Sequence, residues 1–117
     1  MYRREFQKTS STVKSLCQFY LMRGCLETNI IVRPFREYCT IRVSGHMEIN
    51  ESEVKEIDGL LNQPKTSEME YYYDDLLDSD FEDNELRMLG LMVDKAEVKY
   101  QDGILVIEVL RLFGKKE

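Results

Sequence analysis

The sequence predicts an α+β fold: a two-layer sandwich with a mixed sheet of about four strands covered on one face by about four helices. Three observations predict it. Residues 95–109 alternate apolar and polar side chains about a central Asp102-Gly103, the pattern of a hairpin closed by a type I′ turn. Residues 38–44 alternate too, with Cys39, Ile41 and Val43 on one side and Tyr38, Thr40, Arg42 and Ser44 on the other, as in a half-buried strand. Between these strand regions apolar residues recur three and four apart, which is the helical period. A chain of 117 residues is one domain in length, here 1–117, and buries enough surface to need no disulfide or metal staple.

Taken in order, residues 1–9 are polar and are expected to form a flexible arm. Ser10 or Ser11 caps a helix reaching about Arg23, with Val13, Leu16, Cys17, Tyr20 and Leu21 on its apolar side. Gly24 stands where a helix stop calls for a left-handed residue. Residues 29–33 form a short strand, interrupted by Pro34 and a turn before the strand 38–44. Asn50 and Glu53 are spaced as a capping box before Val54, Ile57, Leu60 and Leu61. A further helix begins near Thr66 or Ser67 and carries Met69, Tyr72, Tyr73, Leu76 and Leu77. Residues 78–84 read as an acidic loop, and 86–93 as a helix apolar on nearly all sides, hence deeply buried. The hairpin register pairs Tyr100 with Leu105, Val98 with Ile107 and Ala96 with Val109, all on one face.

Net charge is −6, but it is segregated. Residues 1–47 hold 8 basic and 3 acidic side chains, 48–85 hold 2 and 14, and 86–117 hold 6 and 5. The acidic middle opposes nucleic-acid binding, which depends on neutralising phosphates. No apolar run approaches the length of a spanning helix, so no membrane partner is expected. Cys17, Cys25 and Cys39 form no CxxC pair and, with the lone His46, no zinc set. Cys17 and Cys39 read as small core residues, and the odd thiol count suits a reducing, cytoplasmic compartment.

The oxygen-bearing residues from Asp78 start like a calcium loop. Asp83, however, takes the place of the turn glycine, and Leu89 that of the bidentate glutamate. His46 follows Gly45 at a strand end, yet no Ser-His-Asp or Cys-His arrangement accompanies it. The sequence has no GxGxxG, GxxxxGK[ST] or HExxH. No catalytic, cofactor-binding or metal-binding residue is therefore assigned. Consecutive tyrosines at 71–73 span most of a helix circumference, so one of them faces outward. Tyr71 with Glu68, Glu70, Asp74 and Asp75 forms the expected partner-binding surface.

The order helix, strand, strand, helices, hairpin, with Met22-Arg23-Gly24 ending the first helix and 89–98 feeding the hairpin through Asp94 and Val98, resembles the histidine-kinase-type ATPase fold. The likeness is to the small anti-sigma-factor kinases of bacteria, over roughly 11–47 and 84–112. Residues 63–73 are also similar to a segment found in small bacterial proteins. The resemblance implies an Asn on the first helix, an Asp-x-Gly-x-Gly box after the second strand and a glycine-rich loop before the last helix. This chain has Phe19-Tyr20-Leu21-Met22, Ser44-Gly45-His46-Met47 and Asp83-Asn84-Glu85 at those places. Carboxylates where a triphosphate would rest are unfavourable.

The expectation is therefore a non-catalytic, cytoplasmic regulatory or protein-interaction domain without a cofactor, on a degenerate ATPase-like fold. Its partner would be another protein, with a homodimer left open. The alternatives are an anti-sigma-type serine kinase with rearranged nucleotide ligands, or a small-molecule sensor with an apolar cavity bounded by Phe19, Met22 and Met47.

Overall fold

In the computed structural model, which describes residues 3–62 and 81–113, the order is α1 (Arg3–Met22), β1 (Thr28–Pro34), β2 (Tyr38–His46), α2 (Glu51–Leu61), α3 (Phe81–Met92), β3 (Lys95–Gln101) and β4 (Ile104–Leu112). The α+β class and the one-sided helical cover agree with the sequence. The sheet runs β1-β2-β4-β3 and is antiparallel throughout, where a mixed sheet was expected. The hairpin enters with β4 innermost, so β2 and β3 point the same way without touching. Three helices stand among the described residues. The helix expected from Thr66 or Ser67, and with it Glu68, Glu70, Tyr71, Asp74 and Asp75, lies outside them.

Turn chemistry behaves as read. Asp102 and Gly103 have φ of 55° and 79°, the doubly positive geometry of a type I′ turn, and the register pairs Tyr100 with Leu105, Val98 with Ile107 and Ala96 with Val109. Gly24 (φ 84°) ends α1. Asn50 and Glu53 close their capping box, with Glu53 N–H donating to Asn50 Oδ1 at 2.8 Å and Asn50 N–H to Glu53 Oε1 at 3.4 Å.

Residues 3–9 are the first turns of α1 rather than an arm. Their inward stripe is Glu5, Thr9 and Thr12, and Thr9 and Thr12 are buried, so hydrophobic periodicity gives no sign of it. The reason is Arg111, a buried cation on the helix-covered face of β4. Its Nε donates to Met92 O at 3.1 Å, Nη1 to Thr9 Oγ1 at 3.1 Å and Nη2 to Glu5 Oε1 at 3.2 Å. One guanidinium thus joins α1, α3 and β4.

Further along α1 the stripe is Leu16, Phe19 and Tyr20, with Val13 packed partly against it. Leu21, expected on the apolar side, is 58% exposed, and Cys17 is only half-buried. α3 starts at Phe81, so 81–84 are helical instead of loop. Nor is α3 buried all round. Leu86, Leu89 and Val93 beside its end are buried, whereas Met88 and Met92 are exposed, because the sheet and the other helices lie on one side only.

Asn62 links α2 to the sheet. Its Nδ2 donates to Asp58 O at 3.1 Å, and its Oδ1 accepts from the Ala96 N–H of edge strand β3 at 3.0 Å. α3 meets the end of α2 at Gly90, where a Cβ would stand 2.5 Å from Leu60 O and 3.1 Å from Leu61 O. Gly59 on α2 has open space around it.

Three substitutions test this packing. Arg111→Ala leaves the half-buried Glu5 carboxylate without its cation and Thr9 and Met92 O without their donor, and should cost about 2–4 kcal/mol in a urea titration. Gly90→Ala should destabilise by about 1–3 kcal/mol because backbone must move. Gly59→Ala, with the same change in helix propensity, should stabilise by roughly 0.5–1 kcal/mol.

Candidate functional site

A cleft of about 780 Å³ opens at the end of the sheet where α1 stops. Gly24 turns the chain sharply there: its own N–H bonds to Leu21 O at 3.0 Å, and the Cys25 N–H bonds back to Tyr20 O at 3.2 Å. Arg23, Leu26 and Glu27 form one wall, His46, Met47 and Glu48 at the end of β2 another, and Tyr100 with Gly103 of the hairpin a third. The floor is held by the Tyr100 hydroxyl donating to Met47 O at 2.7 Å and by the Met47 N–H bonding to Gly103 O at 2.9 Å.

Arg23 is the best-positioned charge in the cleft. Its Cζ lies 5.3 Å from the centre of the Phe19 ring, and its Nη1 bonds Glu53 Oε2 at 2.9 Å. Hydrogen bonding to Arg23, together with the Asn50 N–H of the capping box, holds the Glu53 carboxyl below the usual carboxylate range. Of the other charged side chains lining the cleft, Glu27 and Glu48 are carboxylates, so they outnumber the single cation Arg23. Its lining includes no Ser, Thr or Cys nucleophile, and no group of three or more metal-ligating side chains occurs among the described residues.

Beside the cleft, Gly45 permits a close approach. A Cβ there would collide with Cys25 Sγ and stand 2.9 Å from Glu27 O and 3.3 Å from Tyr20 Cδ2. The Tyr20 hydroxyl lies 2.8 Å from Leu105 O and 3.1 Å from Val43 O, sharing its proton between two strands. Burial pushes this phenol well above its ordinary pKa. Cys39 is fully buried, and burial raises its thiol pKa too, against smaller opposing effects of Thr9 and Arg111. All three cysteines are free thiols, and Cys25 is buried as well.

The sequence-derived candidates scatter. His46 is exposed at the cleft, but only its neighbours in the lining accompany it. The acidic partner-binding set lies outside the described residues, as do Asp78 and Asp80 of the calcium-like segment, whose remainder from Phe81 is helical. Phe19 and Met47 belong to the buried core and Met22 is half-exposed; of these three, Met47 alone lines the cleft. No protein-family model matches the chain, and no curated protein matches it in sequence. Among the described helices none is long and apolar enough to cross a membrane.

A second surface was not anticipated. The sheet has two edges, and they differ. β3 presents Lys95, Glu97 and Lys99 along its exposed face and is tied to Asn62, the charged and covered edge that resists further pairing. β1 exposes Ile30, Ile31 and Val32 at 36%, 42% and 40%. The sequence signal was an unbroken Ile30-Ile31-Val32 run, unlike the alternation of β2, followed after Arg33 by a proline that lacks an N–H.

The lowered Glu53 value carries a sign. Stability from the Arg23–Glu53 pair is complete above the unfolded carboxylate value of roughly 4.3 and is lost as pH falls through the lower folded value. The wild-type melting temperature should therefore fall more steeply between about pH 6 and pH 3 than that of Glu53→Gln, as read by circular dichroism.

Proposed function

We propose that the protein is a non-catalytic regulatory domain that acts by binding another protein, on a degenerate histidine-kinase-type ATPase fold. The observation that carries this reading is the apolar edge at β1, which no strand among the described residues covers, continued in chain order by exposed Leu26 before it and by Phe35 and Tyr38 after it. A sheet edge with free donors and acceptors beside apolar side chains is a ready template for a partner strand. The acidic segment with Glu68, Glu70, Tyr71, Asp74 and Asp75 remains the second surface proposed for partner contact.

Absence of nucleotide chemistry is the other half of the proposal. Where the resemblance calls for a polar metal-holding residue on the first helix, Phe19 and Tyr20 are buried, and the Tyr20 hydroxyl is engaged with the sheet. Where it calls for an adenine box, Gly45 is a packing glycine within β2. With Arg23 against Glu27 and Glu48, the cleft supplies no excess of cations for a triphosphate.

Titration with Mg-ATP in a calorimeter should show no binding tighter than about 1 mM, and melting should not shift with Mg-ATP present. Micromolar binding would overturn the reading in favour of a nucleotide-binding kinase with rearranged ligands.

A further inference from the structure

The β1 edge fits one partner in detail: a second copy of itself. The Phe35 N–H bonds to Tyr38 O at 2.7 Å, in register with Pro34 opposite Cys39. Antiparallel pairs alternate between hydrogen-bonded and non-bonded. Arg33, Ile31 and Asn29 thus direct their backbone groups to β2, while Thr28, Ile30, Val32 and Pro34 direct theirs outward. Only Pro34, at the strand end, brings no N–H to that side.

Resting on the reading of the chain as an interaction domain, we infer that two copies join through β1 in an antiparallel, two-fold-symmetric pair centred on Ile31. Ile31 is the midpoint of β1, so this register pairs the strand over its whole length. Ile30 of each copy then meets Val32 of the other as a hydrogen-bonded pair, and the two Ile31 side chains face each other across the axis. On the helix-covered side Ile30 and Val32, each more than a third exposed, become a shared apolar stripe.

Charge fits the same register. Arg33 stands opposite Asn29 of the second copy, with the second copy's Glu27 diagonally beyond on the same face, so no like charges are apposed. The acidic side chains of α2 lie on the β3 side of the sheet, since α2 packs on β3 while α1 packs on β1 and β2. The net charge of −6 is therefore carried partly away from the joint. One strand pairing is smaller than a standard interface of about 1,600 Å² in total, which places half-association at roughly 1–100 μM.

Sedimentation equilibrium of the full chain over roughly 1–500 μM tests this. The average mass should climb from the 13.9 kDa of one chain toward twice that value. Ile31→Lys sets two like charges on the axis and should weaken association at least about tenfold, with the melting temperature nearly unchanged because the site is exposed. An equimolar mixture of Ile31→Lys and Ile31→Glu should associate again. Amide exchange at Ile30 and Val32 should slow as wild-type concentration rises, while that at Asn29 and Ile31, already bonded to β2, should not change. A wild type monomeric throughout, or an Ile31→Lys chain that associates as well as wild type, overturns the inference. Neither result touches the interaction-domain reading, which fails instead on Mg-ATP binding.

Discussion

A guanidinium buried against a sheet is costly unless its charge is neutralised and its donors are engaged. Arg111 meets that condition with groups from two helices: the Thr9 hydroxyl and Glu5 carboxylate of α1 and the Met92 carbonyl at the end of α3. Each partner must sit within hydrogen-bond reach of the same planar group. The position of α1's first turns, the end of α3 and the inner strand β4 are therefore fixed together. At the other end of α1, the Tyr20 hydroxyl reaches carbonyls on β2 and β4. Leu16 and Phe19 fill the space between these two polar anchors.

The polar anchors tie α1 to β2 and β4, and none of them reaches β1. α2 and α3 pack on each other, α2 lies on β3, and α3 also meets α1, which packs on β1 and β2. The described helices nevertheless cover β1 only in part: from Asn29 to Pro34 the strand stays exposed. The edge that carries the apolar run is thus the one the polar anchors leave untied.

The parts legible in the sequence were those where one local rule decides the outcome. Asp102-Gly103 sets the hairpin register, Asn50 and Glu53 start α2, and Gly24 stops α1. What escaped reading depends on distant partners. The first turns of α1 have a polar inward stripe that makes sense only once Arg111, about a hundred residues on, lies opposite. Strand order is equally non-local: the Asp102-Gly103 turn gives the hairpin, but which of its strands lies inside depends on the pairing of β4 with β2, more than fifty residues earlier in the chain. The cleft was also hidden, since its walls come from the end of α1, the end of β2 and the hairpin, none carrying a recognisable motif.

The same non-locality bears on the family resemblance. At the places where a nucleotide fold would keep polar ligands, this chain has positions committed to packing. Tyr20 joins two strands and touches the spot beside Gly45 where a Cβ would collide with Cys25. An Asn at Tyr20 would be too short to reach the carbonyls of Val43 and Leu105, and would leave a cavity under the centre of the sheet. A longer side chain at Gly45 would push α1 away from β2. Polar ligands placed at these positions would thus remove the contacts that hold the helix in place. The side chains that such ligands would have to replace are committed to packing.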